Sequence, residues 1–103
     1  MTVVNTEVPP LCGGGGAPLY FGTTAEDRLF VLDCGTGERR HFNSLEELAA
    51  DLRERACFPH DHPQLCFPWR LVIRGRVVAS DDSGEAGLRE VLAELRRLLR
   101  GPP

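Results

Sequence analysis

Lysine is absent from this 103-residue sequence, in which all 12 basic residues are arginine. A domain without lysine has no side-chain amine for acetylation or isopeptide attachment, so selection against such modification is one explanation. The other is a GC-rich genome, whose codons favour arginine, alanine, glycine and proline. Long hydrophobic runs are also absent, because no segment approaches the roughly 18 apolar residues that a membrane helix needs. The sequence therefore predicts a protein that does not interact with a membrane.

Neither sign of charge dominates, since 12 basic and 15 acidic residues give a net charge of −3. Such a balance provides no general attraction to nucleic acid, which is not an expected partner. With 42% hydrophobic and 26% charged residues, the composition is that of a globular domain with one core. The first residues lack the basic region and apolar stretch of a secretory signal. This predicts a cytoplasmic protein whose four cysteines are mostly reduced thiols.

The chain divides into a predicted flexible leader, residues 1–18, and a single predicted domain, residues 19–103. The leader contains four consecutive glycines at 13–16, whose backbone entropy makes an ordered structure costly. They are not followed by the Gly-Lys-Ser/Thr of a phosphate-binding loop. Residues 19–21, Leu-Tyr-Phe, are expected to add a short strand at the edge of a sheet.

Hydrophobic patterning in the first half of the domain predicts a hairpin followed by a helix. Residues 28–34 have a continuously apolar centre, which indicates a strand covered on both faces. Residues 38–42 are expected to return antiparallel to it. Ser44 and Glu47 then have the spacing of a capping box. The helix that they begin carries apolar residues at helical spacing.

The second half predicts two further strands, at 69–74 and 76–79, joined by a turn at Gly75. Leucine and valine then recur at helical spacing from 88 to 99, which predicts a C-terminal helix that ends at Gly101. The broad apolar stripe of this helix suggests that part of it contacts a partner or a second copy of the chain. A homo-oligomer formed through the C-terminal helix is therefore one expectation.

Two local motifs accompany this order of elements. Phe58-Pro59-His60-Asp61 follows the first helix with the pattern apolar-Pro-x-Asp, and the segment 70–76, Arg-Leu-Val-Ile-Arg-Gly-Arg, is a strand with basic residues at both ends. Over about residues 28–88 the chain thus resembles a ubiquitin-like β-grasp domain, whose helix is followed by the same two motifs. The resemblance implies an α+β fold, a ubiquitin-like roll of hairpin, helix and two strands, here with an added C-terminal helix.

The sequence also departs from that family. An insertion follows Asp61, and the C-terminal segment is predicted to be helical where the family has a long closing strand. Arg100-Gly101-Pro102 lacks the diglycine that an activating enzyme requires. We therefore expect a domain that is not itself conjugated to other proteins.

Three residues of the predicted strand at 69–74 are the candidate partner-binding site. If Leu71 and Ile73 face the helix, Arg70, Val72 and Arg74 face outward together. An apolar residue between two arginines suits a docking surface, and in the resembled family the position of Val72 belongs to the main recognition patch. The alternative is a solvated strand face with one exposed valine.

The loop from Cys57 to Cys66 carries four residues that suit zinc, namely Cys57, His60, His62 and Cys66. Their spacing is unusual, because structural zinc sites mostly take ligands from two separated segments. Three alternatives remain open: a plain surface loop, a Cys57–Cys66 disulfide, and a catalytic Cys-His pair. Zinc is thus the one cofactor considered.

No other motif indicates catalysis, since Asp81-Asp82 has the pattern of a turn followed by a helix cap. The sequence therefore favours a non-enzymatic protein-protein interaction domain, such as a small adaptor, regulator or accessory subunit. A metal-stabilised or metal-sensing protein built on the Cys57–Cys66 loop is the alternative. A third, minor possibility is an anion or nucleic-acid binder that uses Arg39, Arg40, Arg70, Arg74 and Arg76.

Overall fold

Seven strands and two helices make up the part of the chain that the computed structural model describes, residues 18–58 and 60–100. In chain order they are β1 (Leu19–Thr23), β2 (Leu29–Asp33), β3 (Glu38–Phe42), α1 (Leu45–Arg55), β4 (Gln64–Leu65), β5 (Trp69–Ile73), β6 (Arg76–Asp81), β7 (Ala86–Gly87) and α2 (Leu88–Arg100). The predicted α+β class, hairpin and C-terminal helix are confirmed. The first 17 residues of the predicted leader, 1–18, and the predicted helix end at 101–103 lie outside the described residues.

Strand β1 lies at the centre of a five-stranded sheet with the order β3-β2-β1-β5-β6. It pairs antiparallel with β2 and parallel with β5, so that Leu19 lies opposite both Asp33 and Trp69. All five residues of β1 are buried. The expectation of an edge strand at 19–21 is therefore wrong. A central strand is bordered by two neighbours, and consecutive apolar residues suit that position better than an exposed edge.

The sheet buries apolar side chains on both faces. Phe21, Val31 and Leu71 pack on one face against the two helices, in the main core. A second cluster on the opposite face contains Phe30 and Val72, together with neighbouring side chains of β1 and β2. Because β2 contributes to both clusters, the prediction that this strand is covered on both faces is confirmed.

Helix α1 begins with the predicted cap. The Ser44 hydroxyl accepts a hydrogen bond from the Glu47 amide at 3.2 Å. The Glu47 carboxylate accepts a hydrogen bond from the amide of Asn43 at 3.0 Å. In a regular capping box the donor would be the amide of Ser44. Leu48 and Leu52, four residues apart, are fully buried on the side that faces the sheet.

Helix α2 uses its apolar stripe within the domain. Four of its side chains are buried in the main core, and Leu98 and Leu99 are partly buried against it. The homo-oligomer predicted through this helix stays a prediction, and most of the apolar surface on which it rested is covered by the chain itself. No helix in the described part of the chain is long and apolar enough to cross a bilayer.

An ion-pair network connects α1 to the β2–β3 hairpin. The Asp51 side chain, only 6% exposed, accepts from Arg40 at 3.2 Å and from Arg55 at 2.7 Å. Arg55 also contacts Asp33 at 3.2 Å and Glu38 at 3.3 Å. Hydrogen bonds from Arg40, and then from Arg55, hold the pKa of Glu38 below its ordinary value of 4.5.

Replacing Glu38 with Gln should make the unfolding free energy depend less on pH in the acidic range. A folded-state pKa below 4.5 means that the ionised Glu38 stabilises the fold above that pH. This contribution is lost as the pH falls through the folded-state pKa, and Glu38→Gln removes it. Urea unfolding midpoints measured from neutral to acidic pH test this, with Glu54→Gln as the control because Glu54 has no ion pair among the described residues. Equal acid dependence in the wild type and Glu38→Gln would contradict the prediction.

Candidate functional site

The predicted docking residue Val72 is completely buried, with 0% of its side chain exposed. The predicted alternation of side chains along β5 is correct. Leu71 and Ile73 pack in the main core on the helix side, and Val72 points to the opposite face. That face is not a free surface, since Val72 belongs there to a cluster with Tyr20, Phe30 and Leu32. The prediction of an exposed docking site at Val72 is therefore wrong.

The burial of Val72 follows from the central position of β1. Register places Gly22 of β1 between Phe30 of β2 and Val72 of β5. A Cβ added at Gly22 would overlap the carbonyl oxygen of Val72, and the φ of +137° at Gly22 disfavours any other residue. Gly22 has no side chain, and the side chains of the two residues opposite it, Phe30 and Val72, belong to one apolar cluster.

The two arginines predicted to flank Val72 do not form one surface with it. Arg70 donates to the Asp82 carboxylate at 2.8 Å and to the carbonyl of Trp69 at 3.0 Å. Arg74 lies in the turn after β5, with a φ of 52°, and its Nε donates to Asp27 at 3.0 Å. Each arginine thus has a carboxylate partner within the domain.

Exposed apolar side chains lie instead on β6, the edge strand next to β5. Val77 is 44% exposed and Val78 is 48% exposed, and they are two of the three large apolar residues exposed in the described segments. Val77 pairs with Val72, and Val78 is the extra residue of a β-bulge. Arg76 precedes them and makes no ion pair with any described residue. We call Arg76, Val77 and Val78 the β6 edge patch.

The sequence contained a signal for this patch that the parity argument missed. The segment 76–79 is predicted to be a short strand that begins with Arg76, and short strands that carry charges are typical of sheet edges. Side chains alternate along a strand, so two adjacent valines are both buried only where the sheet is covered on both faces. On an edge strand such a pair indicates that at least one of the two is exposed.

A disulfide joins Cys57 to Cys66, with 6.2 Å between their Cα atoms. The loop is closed beside it by two backbone hydrogen bonds, from the Cys57 amide to the Gln64 carbonyl at 2.8 Å and from the Gln64 amide to the Cys57 carbonyl at 2.9 Å. This pairing brings the two cysteines within bonding distance. Cys34 is disulfide-bonded as well. The expectation of reduced thiols is therefore wrong for the three described cysteines, and the disulfide weighs against a cytoplasmic location.

The disulfide also removes two of the four predicted zinc ligands. Zinc binds thiolates, and the sulfurs of Cys57 and Cys66 are bonded to each other. His60 and His62 are exposed in the same loop. Within the described segments, no group of three or more His, Cys, Asp or Glu side chains is arranged to hold a metal ion. The prediction of zinc at these four residues consequently applies only to the reduced protein.

Comparison with known proteins gives no relative from which a function could be transferred. No family model, no curated protein and no solved structure matches this chain. The resemblance to ubiquitin-like domains thus rests on the residues of this sequence alone.

Aspartate at Val72 and aspartate at Val77 should have very different effects, although the two valines are paired across neighbouring strands. Val72→Asp places a charge without a partner in a fully buried site and should cost about 3 kcal/mol or more of unfolding free energy. Val77→Asp places it on a half-exposed edge and should cost less than about 1 kcal/mol. Denaturant unfolding measures both values. Similar losses for the two variants would contradict the assigned burial.

Removing the disulfide should destabilise the domain without unfolding it. Cys57 and Cys66 are separated by 9 residues, and closing such a loop restricts the unfolded chain by about 2 to 3 kcal/mol. The double variant Cys57→Ser/Cys66→Ser should lose about that much. Chemical unfolding with and without reductant checks this, because reductant should affect the wild type more than the variant. A variant as stable as the wild type would contradict it.

Proposed function

We propose that this chain is a non-enzymatic protein-protein interaction domain of ubiquitin-like fold, acting as an adaptor, regulator or accessory subunit. Its contact surface is the β6 edge patch. The observation that carries the proposal is the exposure of Val77 and Val78 on a strand that has only one neighbour in the sheet.

The order of elements supports the fold in this proposal. The hairpin β2–β3, the capped helix α1 and the hairpin β5–β6 follow one another as in the resembled family. Three features go beyond that pattern: the central strand β1, the two-stranded sheet of β4 and β7, and the C-terminal helix α2. Strand β1 and helix α2 add buried contacts, and β6 stays at the edge of the larger sheet.

An edge strand can bind an extended segment of another protein through its free main-chain groups. The bulge at Val78 interrupts the regular ladder, so a bound segment would be short. Val77 and Val78 offer apolar contacts, and Arg76 offers a positive charge that has no partner among the described residues. The partner that fits is a short extended segment with apolar residues beside an acidic one.

Side chains that resemble catalytic groups are engaged elsewhere, which supports a binding function over catalysis. The sulfurs of Cys57 and Cys66, which share a loop with His60 and His62, are joined in a disulfide. The buried carboxylate of Asp51 is neutralised by Arg40 and Arg55.

Partner capture should be lost when the β6 edge patch is made acidic. The test compares three baits in a pull-down analysed by mass spectrometry: the wild type, Val77→Glu/Val78→Glu and Arg96→Glu. Both variants change the net charge by −2, but Arg96 is an exposed residue of α2 and belongs to no strand of the sheet. A protein bound by the wild type and Arg96→Glu should be missing with the edge variant.

Circular dichroism and thermal unfolding establish that the three baits are folded. Retention of the captured protein by Val77→Glu/Val78→Glu would refute the assigned surface. If the wild type captures no protein at all, the proposed function fails.

A further inference from the structure

A cleft of about 350 Å³ lies between the two helices and the disulfide-closed loop. Its apolar part is formed by Leu88 and Leu92 of α2 and by Pro63 of the loop. Arg53 of α1 and Arg89 of α2 line it as well. Its volume falls in the range of small-molecule sites, which combine apolar surface with a few charged groups. No residue of the β6 edge patch takes part in it.

Neither Arg53 nor Arg89 makes an ion pair with any described residue, so no carboxylate of the described chain competes with a ligand for them. Carboxylates neutralise five others: Arg40, Arg55, Arg70, Arg74 and Arg97. An arginine guanidinium presents several donors in a plane, and this geometry matches a carboxylate or a phosphate. Two arginines without an ion pair to any described residue, one from each helix, thus line one cavity.

The loop side of the cleft is held in place before any ligand binds. The disulfide and the Cys57–Gln64 backbone pair close the loop at its base. The Leu88 amide donates to the Pro63 carbonyl at 2.9 Å and connects the loop to the first turn of α2. A preformed cavity loses less conformational entropy on binding than one that must be ordered by its ligand.

Charged groups around the cleft define where an anion can bind. Asp61 lines the loop side together with His60. Beyond Arg89, the adjoining depression is lined by Glu85 and Glu90. These carboxylates repel an anion from both flanks, whereas the space between Arg53 and Arg89 attracts it.

We propose that this cleft binds a small organic anion. Its acid group, a carboxylate or a phosphate, is held between Arg53 and Arg89. Its apolar body, of about the size of one aromatic ring, packs on Leu88, Leu92 and Pro63. The site is independent of partner binding at β6, so a failure of either proposal leaves the other standing.

Titration with three probes tests the site on the full-length, oxidised chain. Benzoate carries a carboxylate, phenyl phosphate carries a phosphate, and benzamide is a neutral molecule of similar shape. Amide NMR shifts followed up to millimolar concentrations should saturate for at least one of the acids. The shifted amides should lie around the cleft, and benzamide should cause no saturable shift. The tighter acid identifies which of the two acid groups the site prefers.

Two single variants and a matched control decide the role of the arginines. Arg53→Ala and Arg89→Ala should each weaken binding by about tenfold or more, the usual effect of losing a hydrogen bond between charged groups. Arg96→Ala removes the same charge from an exposed position on α2 and should leave the affinity unchanged.

Three outcomes would overturn the proposal. The first is that neither acid gives a saturable shift. The second is that Arg96→Ala weakens binding as much as the cleft variants, which would indicate general charge attraction. The third is that the amides that shift lie away from α1, α2 and the loop. Circular dichroism of each variant separates loss of binding from loss of fold.

Discussion

Burial of β1 between β2 and β5 is the constraint on which the other features of this domain depend. The strand joins two hairpins that are separated in sequence by α1, and it makes them into one sheet. Its residues alternate between two apolar clusters, with Phe21 on the helix side and Tyr20 on the other. Gly22 lets β5 approach closely, because any side chain there would collide with the backbone at Val72. Hydrophobic burial on both faces of the sheet is therefore concentrated at its centre.

A sheet that is buried at its centre leaves its edges to contact other molecules. The two edges differ in chemistry. Strand β3 is mainly charged and includes Arg40 and Glu38, which take part in the network around Asp51. Strand β6 instead presents Val77 and Val78. Exposed edges are commonly blunted by charges or bulges, and β6 has a bulge but keeps its apolar side chains. This contrast is the physical basis for assigning the partner surface to β6.

The loop between α1 and β5 is connected to the rest of the domain by a disulfide and by strand pairing. The Cys57–Cys66 disulfide closes it, and its short strand β4 pairs with β7 immediately before α2 begins. Through these contacts the loop fixes one wall of the cleft that α1 and α2 complete. The disulfide thus closes the loop that lines this cavity, and such a bond persists in an oxidising environment.

Local sequence was sufficient for the longer elements, since the capping box at Ser44, the helical spacing in α2 and the apolar run of β2 are signals within short segments. The two-residue strands β4 and β7 were not predicted, because they form only by pairing with each other. Local sequence also predicted which side chains of β5 share a face, because side chains alternate along a strand. Only the tertiary structure decided whether each face of a strand is exposed to solvent or packed against other side chains. Alternation alone does not tell whether Val72 faces solvent or a second cluster, and the answer depends on β1, some fifty residues away in the chain. The pairing of Cys57 with Cys66 and the exposure of Val77 depend in the same way on contacts that form only in the folded chain.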